Sequence, residues 1–378
     1  MKMERIPLLR PAPGSQRFLQ VYYVGPENSD KKVYIQAGLH ADEWPGLLVI
    51  QHLLPKLEQL ESAGQLNAQF VIVPFANPIG LDQQLFGDVT GRHYHENGQN
   101  FNRHMAVSKY KLSDSLRGKL TDQPVSNIQL IRETLKTLVW QSEDNNEIQT
   151  LHKTLLSLSI DADLVLDLHC DLKSLPHLFG AGFQLQQSIE LAKSLGFPVV
   201  LHEDLSGDVA FDGTHTQPWM YLKNEFPTFP IPAACFAATI ELRGKHDVND
   251  SYAKQDANRL VQYLIRTQYI DGQQEQNLKS EFVEPRCFST DNVLMVPSPC
   301  HGIVIYHLEP GDSVAAGDVF AEIVLLDADE PNTRTPIKSQ YSGYIISQTH
   351  KSLVRPGTTI AMIGCDQATG RKGYQLCD

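Results

Sequence analysis

No two of the six cysteines, at positions 170, 235, 287, 300, 365 and 377, form a Cys-x-x-Cys pair. That absence argues against a thiolate zinc cluster or a thioredoxin-like redox motif, and scattered thiols in a chain this long suit a reducing cytosol. Long apolar runs are also missing. None reaches the ~18 residues of a membrane span, and "MKMERIPLLRPAPGSQ" has no apolar core of a signal peptide. Basic residues are in deficit: 32 Lys and Arg against 44 Asp and Glu give a net charge of −12. Such a surface is unsuited to nucleic acid, whose phosphates need positive partners. A soluble cytoplasmic protein acting on a small molecule, with no membrane and no nucleic-acid partner, is the expectation.

The 378 residues, 42% hydrophobic, suffice for a large core. The first two thirds alternate strand and helix patterns. "KVYIQAG" (32–38), "AQFVIVPFANP" (68–78), "DADLVLDLHCD" (161–171), "FPVVLHED" and "AACFAATIELRG" read as strands. "PGLLVIQHLLPKLEQL" (45–60) reads as a helix with Pro45 in its first turn, and "YAKQDANRLVQYLIRTQY" (252–269) as another. Residues 104–160 carry helical spacing and predict one or two amphipathic helices. This pattern predicts an α/β sheet covered on both faces. From about residue 286 the chain becomes short strands broken by Gly, Pro and Asp, and "CHGIVIYHLEPGDSVAAGD" is weakly echoed by "YSGYIISQTHKSLVRPGTT". We therefore expect two domains, 1–285 and 286–378, the second a small all-β barrel-sandwich. Its hairpins resemble biotinyl or lipoyl carrier domains in architecture only, since "DADEPNTRTPIK" carries no lysine-attachment signature.

Polar residues gather at the ends of apolar strands, where ligands bind in α/β sheets. His40 and Glu43 follow the first of these strands, "NFNR" occupies 100–103, His169 ends "LDLH" and Glu241 lies in "TIELRG". Singly, each has an ordinary explanation: a turn pair, a satisfied interior histidine, an edge ion pair. Together, His40, Glu43 and His169 form a two-His, one-carboxylate set of the kind that leaves a position open on zinc for water. Glu241 is then a candidate general base.

"GLHADEWPG", "NPIGLDQQLFGDVTGRHYHENGQNFNR", "DLHCD" and "TIELRG" together resemble the succinylglutamate desuccinylase/aspartoacylase family of the zinc carboxypeptidase clan, over residues 32–245. The resemblance implies a carboxypeptidase-like mixed sheet flanked by helices. It also implies one zinc on His40, Glu43 and His169, with Glu241 as base. It gives Arg92 a part in polarising the scissile carbonyl, and gives Asn102 and Arg103 a grip on a substrate carboxylate. The implied reaction is zinc-dependent deacylation of an N-acyl amino acid or similar small amide; a carboxypeptidase-like peptide hydrolase and a non-catalytic binding protein on this fold are the alternatives. The family usually has Asp where this chain has Asn100, as the hydrogen-bond acceptor behind a zinc-binding histidine. It also implies that the all-β tail lies near the active-site mouth.

Overall fold

The structure is a computed structural model that describes residues 1–105, 107–203, 210–273 and 284–370. The chain divides into two compact units. One comprises Met1–His169, Gly207–Ile240 and Val248–Phe282, the other Cys170–Ser206, Glu241–Asp247 and Val283–Asp378.

The first unit is built on strands in the order Lys2–Pro7, Phe18–Val24, Gln69–Val73, Lys32–Ala37, and the parts of Leu164–Asp171 and Phe236–Gly244 up to His169 and Ile240. The outer pairings are antiparallel, and Lys32–Ala37 runs parallel to both of its neighbours. The mixed α/β architecture expected from sequence is present. Val33, Ile35, Val165 and Leu166 are wholly buried, as continuous apolar runs in a covered parallel sheet must be. Tyr34, Val71, Val73 and Val165 share a core with Leu112, Ile131, Leu135, Leu151, Leu155 and Trp219 from the helices.

Those helices follow local rules. In Pro124–Trp140 the buried residues Asn127, Ile131, Leu135 and Val139 recur every fourth position, one apolar stripe. Asn146 caps Glu147–Ser159 by accepting from the Gln149 N–H at 2.9 Å. Ser108 does the same for Lys109–Leu116, so the 104–160 region holds three helices where periodicity predicted one or two. Among the elements that escape sequence reading are the strands Lys2–Pro7 and Phe18–Val24 and the helix Phe211–Glu225. Lys2–Pro7 is an almost fully exposed edge strand, which needs no apolar alternation. The Phe211–Glu225 helix contains Pro218 and little periodicity.

The second unit holds three parallel strands, His177–Ala181, Val199–Glu203 and Arg286–Ser289, with the Leu185–Leu195 helix between the first two. The all-β residues follow as two antiparallel sheets. One orders Val293–Pro297, Thr359–Cys365, Gly343–Gln348 and Ser313–Val314; the other Arg334–Lys338, Val319–Val324, Gly302–Tyr306 and Leu353–Val354. The two sequence echoes thus supply matching strands to the two sheets. This part is not self-contained. Arg286–Ser289 pairs with Val199–Glu203, Lys173–Ser174 pairs with Gly343–Gln348, and Val199 and Leu201 share a core with Phe288, Val293, Ile346 and Met362.

Candidate metal centre

The site begins with strand register. Ala37 lies opposite Leu168 in the parallel pair, so both chains leave the sheet at the same edge. His169 is the next residue on one strand, and His40 follows three residues after the other. The Pro45–Ser62 helix then starts against both strand ends. A Cβ on Gly46 would lie 2.8 Å from the Leu168 Cβ and 3.1 Å from that of Ala37, so only glycine permits this approach. The approach carries Glu43, just before the helix, between the two imidazoles.

A second loop closes the set. His93 bridges Asn100, the Tyr94 N–H donates to the Gln99 carbonyl, and the Phe101 N–H donates to the Arg92 carbonyl. This hairpin turns the eight-residue interval between Arg92 and Asn100 into adjacency. The Ala41 N–H donates to the Gly91 carbonyl at 3.0 Å, and a Cβ on Gly91 would sit 2.5 Å from the Ala41 Cβ. The hairpin is therefore fastened directly to the His40 loop.

Glu43 spans the centre. Its Oε1 lies 3.0 Å from His40 Nδ1 and its Oε2 lies 2.9 Å from His169 Nδ1. Arg92 donates from Nη1 to Glu43 Oε1 at 2.9 Å. His40, Glu43 and His169 are each at most 4% exposed, and their donor atoms lie within 4.8 Å of one another. No other group of three His, Cys, Asp or Glu side chains among the described residues has that geometry. Behind the ring, His40 Nε2 lies 2.9 Å from Asn100 Oδ1, and His169 Nε2 lies 2.9 Å from Asp167 Oδ2.

The hydrogen bonds determine the His40 tautomer. Asn100 Oδ1 also accepts from the Asn102 backbone N–H at 2.9 Å, so that atom is an oxygen. It can face His40 Nε2 only as an acceptor, so Nε2 carries the proton. Nδ1 is then a lone pair, 3.0 Å from a carboxylate oxygen. Burial first, and then Arg92, press the His40 pKa down to about 4, so the ring is neutral near pH 7. Arg92 Nη1 lies 3.2 Å from His40 Nδ1 and 2.9 Å from Glu43 Oε1, so a guanidinium N–H meets both acceptors, and a positive charge suits the place. Burial pushes the Glu43 carboxyl up, yet the group is held well below the usual carboxylate range; with His40 neutral, the neighbouring charge near pH 7 is that of His169 and Arg92. Burial likewise opposes charge on His169, whereas Asp167 and Glu43 raise its pKa well above the ordinary value. A positive charge is favoured at this spot, carried by a proton or by a metal ion.

The remaining expected residues divide. Asn102 is buried, and its Oδ1 accepts from the Phe211 N–H at 2.8 Å, so its oxygen holds the start of the Phe211–Glu225 helix. Arg103 donates from Nη1 to the Asn102 carbonyl at 2.7 Å. Glu241 is 7% exposed and belongs to the second unit, as the first residue of its Glu241–Asp247 segment. An acid escaped sequence reading. Asp167, two residues before His169, shares its side of the strand, and "DLH" is the signal that reveals it.

The succinylglutamate desuccinylase/aspartoacylase catalytic domain family matches residues 29–264. No curated protein matches the chain. Among solved structures, a protein described as a succinylglutamate desuccinylase/aspartoacylase family member from Shewanella amazonensis superposes with a TM-score of 0.84 at 24% identity, covering 97% of this chain and 99% of that one. A counterpart from Shewanella frigidimarina gives 0.82 at 22%, covering 97% of each chain. A third, from Rhodobacter sphaeroides, gives 0.64 at 16%, covering 95% and 93%. These structures share the fold, and the domain match spans well over half the chain: the protein belongs to the succinylglutamate desuccinylase/aspartoacylase family.

Proposed function

We propose that this chain is a zinc-dependent hydrolase of the cytoplasm that removes an acyl group from an N-acyl amino acid or similar small carboxylate-bearing amide. The observation that carries the reading is the buried cluster of His40, Glu43 and His169, whose ligand atoms lie within 4.8 Å of one another. His40, Glu43 and His169 would hold one zinc ion, a ligand set suited to that metal. When bound there, zinc supplies a water acidified toward a pKa of ~7 and a Lewis acid for a carbonyl oxygen.

The protein's own groups do the rest. Asn100 keeps the His40 Nε2 proton in place, which would leave Nδ1 to hold the ion. Asp167 accepts from His169 Nε2 and makes that ring a stronger donor. Arg92 orients Glu43 and stands as a cation beside the oxygen that becomes negative as the carbonyl is attacked. Glu241 takes the proton of the attacking water and returns it to the departing amine. Arg103 offers a planar fork of donors for the substrate carboxylate, and Asn102, its oxygen engaged by Phe211, contributes amide N–H donors.

The test is metal content together with turnover on a panel of N-acyl amino acids. Wild type is expected to carry about one zinc and to release free amine. His169→Ala should lose most of the metal. Glu241→Gln should retain it while turnover falls by roughly 10²–10⁴. Full zinc occupancy in His169→Ala refutes the ligand set, and near-normal activity in Glu241→Gln refutes the base.

A further inference from the structure

The hairpin that carries Arg92 and Asn100 to the metal centre is itself held at three consecutive residues, 93 to 95. Gln83 uses both ends of its amide: Nε2 donates to the His93 carbonyl at 2.7 Å, and Oε1 accepts from the His95 N–H at 2.8 Å. Between them, the Tyr94 hydroxyl donates to Glu147 Oε2 at 2.9 Å. Glu147 opens the Glu147–Ser159 helix and is only 7% exposed. The same helix reaches the end of the hairpin, where His152 Nε2 donates to the Phe101 carbonyl at 2.7 Å.

Arg17 joins the two grips. Its Nη1 donates to the other Glu147 oxygen, Oε1, and its Nη2 donates to Asp82 Oδ2 at 2.7 Å. Asp82 directly precedes Gln83. A closed ring of polar contacts therefore runs from Tyr94 through Glu147, Arg17, Asp82 and Gln83 back to the hairpin. Arg17 directly precedes the Phe18–Val24 strand, and its carbonyl accepts from the Leu8 N–H at 3.0 Å, which ties the ring to the sheet.

A buried carboxylate is a weak device for stability alone. Taking it from water costs much of what its ion pair returns, and apolar packing does as well or better. What it supplies is direction, because a planar guanidinium aims its donors along fixed lines. Direction is what the hairpin needs. Arg92 Nη1 meets Glu43 Oε1 at 2.9 Å and Asn100 Oδ1 meets His40 Nε2 at 2.9 Å, and a displacement of about an ångström breaks such contacts.

We propose that Glu147 is a positioning residue for the metal centre: oriented by Arg17, it holds Tyr94, and through Tyr94 it sets the hairpin so that Arg92 and Asn100 reach Glu43 and His40. This rests on the zinc-hydrolase reading and deepens it. Glu147 acts through the hairpin and not on the reacting groups.

The experiment uses Tyr94→Phe, which removes one hydroxyl and keeps the Arg17–Glu147 pair, and Glu147→Leu, which removes the carboxylate. Glu96→Gln is the control, since the exposed Glu96 also interacts with the Tyr94 hydroxyl. All readouts are taken well below each variant's Tm. They are zinc affinity by competition with a chelating dye, the His40 ring nitrogens of the metal-free protein by ¹⁵N NMR, assigned with His40→Gln, and kcat and KM at saturating zinc on the N-acyl amino acid panel. Zinc binding should weaken by about threefold or more in Tyr94→Phe and by about tenfold in Glu147→Leu, the low end of what partners behind metal ligands are worth. In both metal-free variants His40 should lose its pure Nε2–H signature as Asn100 withdraws. On the panel, kcat should fall with KM little changed, because Arg92 faces charge that develops only during attack. Once Arg92→Ala and Asn100→Leu are in place, adding Tyr94→Phe should weaken zinc binding no further, since the groups it positions are gone. Should Glu147→Leu not fold, Tyr94→Phe carries the test. A merely structural role lowers Tm and leaves zinc affinity and the His40 signature as in wild type; that result overturns the proposal, as does an equal effect of Tyr94→Phe on zinc binding in both backgrounds. If no panel compound is hydrolysed, the deacylase reading fails, and the zinc and ¹⁵N readouts still decide the role of Glu147. If the wild type takes up no zinc, the ¹⁵N signature decides it.

Discussion

Asn100 shows how one atom can set the protonation of a candidate metal ligand. Its carboxamide oxygen holds the His40 proton on Nε2 but brings no charge, where a carboxylate would make the imidazole a stronger donor. Asn100→Asp is therefore expected to tighten zinc binding, and Asn100→Leu, which removes the acceptor, to weaken it by about 10–100-fold. Competition with a chelating dye at fixed pH measures both. Equal affinity in the wild type and Asn100→Leu would show that the tautomer is held by something other than Asn100. Asp167 makes the same contact on His169 with a full charge, so the two imidazoles are not equivalent.

At the scale of elements, the site depends on two segments brought unusually close. The Arg92 hairpin touches the His40 loop because neither Gly80 nor Gly91 has a side chain: a Cβ on Gly91 would lie 2.6 Å from the Gly80 carbonyl oxygen and 2.5 Å from the Ala41 Cβ. Gly91→Ala must push the hairpin away, and overpacking of this kind costs about 1–3 kcal/mol. A lower Tm, together with weaker zinc binding as Arg92 and Asn100 move from Glu43 and His40, is the expected result. An unchanged Tm would mean that the loops separate freely. The Phe211–Glu225 helix is held to the same region by the Phe211 N–H on Asn102.

Across the whole molecule, the two units make separate predictions. In the second, Phe288, Val293, Ile346 and Met362 cover Val199 and Leu201, and Arg286–Ser289 pairs with the Val199–Glu203 strand. Ending the chain at residue 285 exposes that core and an apolar sheet edge. The product should aggregate, whereas a chain ending at residue 370 should fold. A monodisperse 1–285 protein that unfolds cooperatively would contradict this. In the first unit, burial presses the pKa values of His152 and His215 down to about 4 from the ordinary 6.5, against the pull of the Phe101 and Phe211 carbonyls that they touch. Their folded values lie below their unfolded ones, so as pH falls the unfolded chain takes up the proton first. Their contribution is thus intact above about pH 6.5 and is lost as pH drops toward 4, by at most about 3 kcal/mol each. Urea unfolding at pH 7 and pH 5 should register the fall, and His215→Gln should make the slope shallower. A wild-type stability flat between those two pH values would refute it.

Some of this was written in local sequence. Alternating strands and helices announced the mixed sheet, because burial imposes periodicity residue by residue. His40 and Glu43 stand three apart beyond a strand end, and His169 stands two after Asp167, so their chemistry was legible in short motifs. Asn100 was also recognisable as an amide in place of an acid. Other features have no local signal. Lys2–Pro7 is a strand only because Phe18–Val24 lends it hydrogen bonds. The core shared by 170–206 and the all-β tail joins segments nearly a hundred residues apart, which no boundary read from composition reveals. Asn102 looked like a substrate ligand, yet its oxygen is engaged by a backbone N–H 109 residues away. Sequence by itself determined which chemical groups were available and the periodicity of the elements carrying them. Tertiary structure alone decided which groups meet, because that depends on close packing between distant segments, down to the space left by a missing Cβ at Gly46 and Gly91.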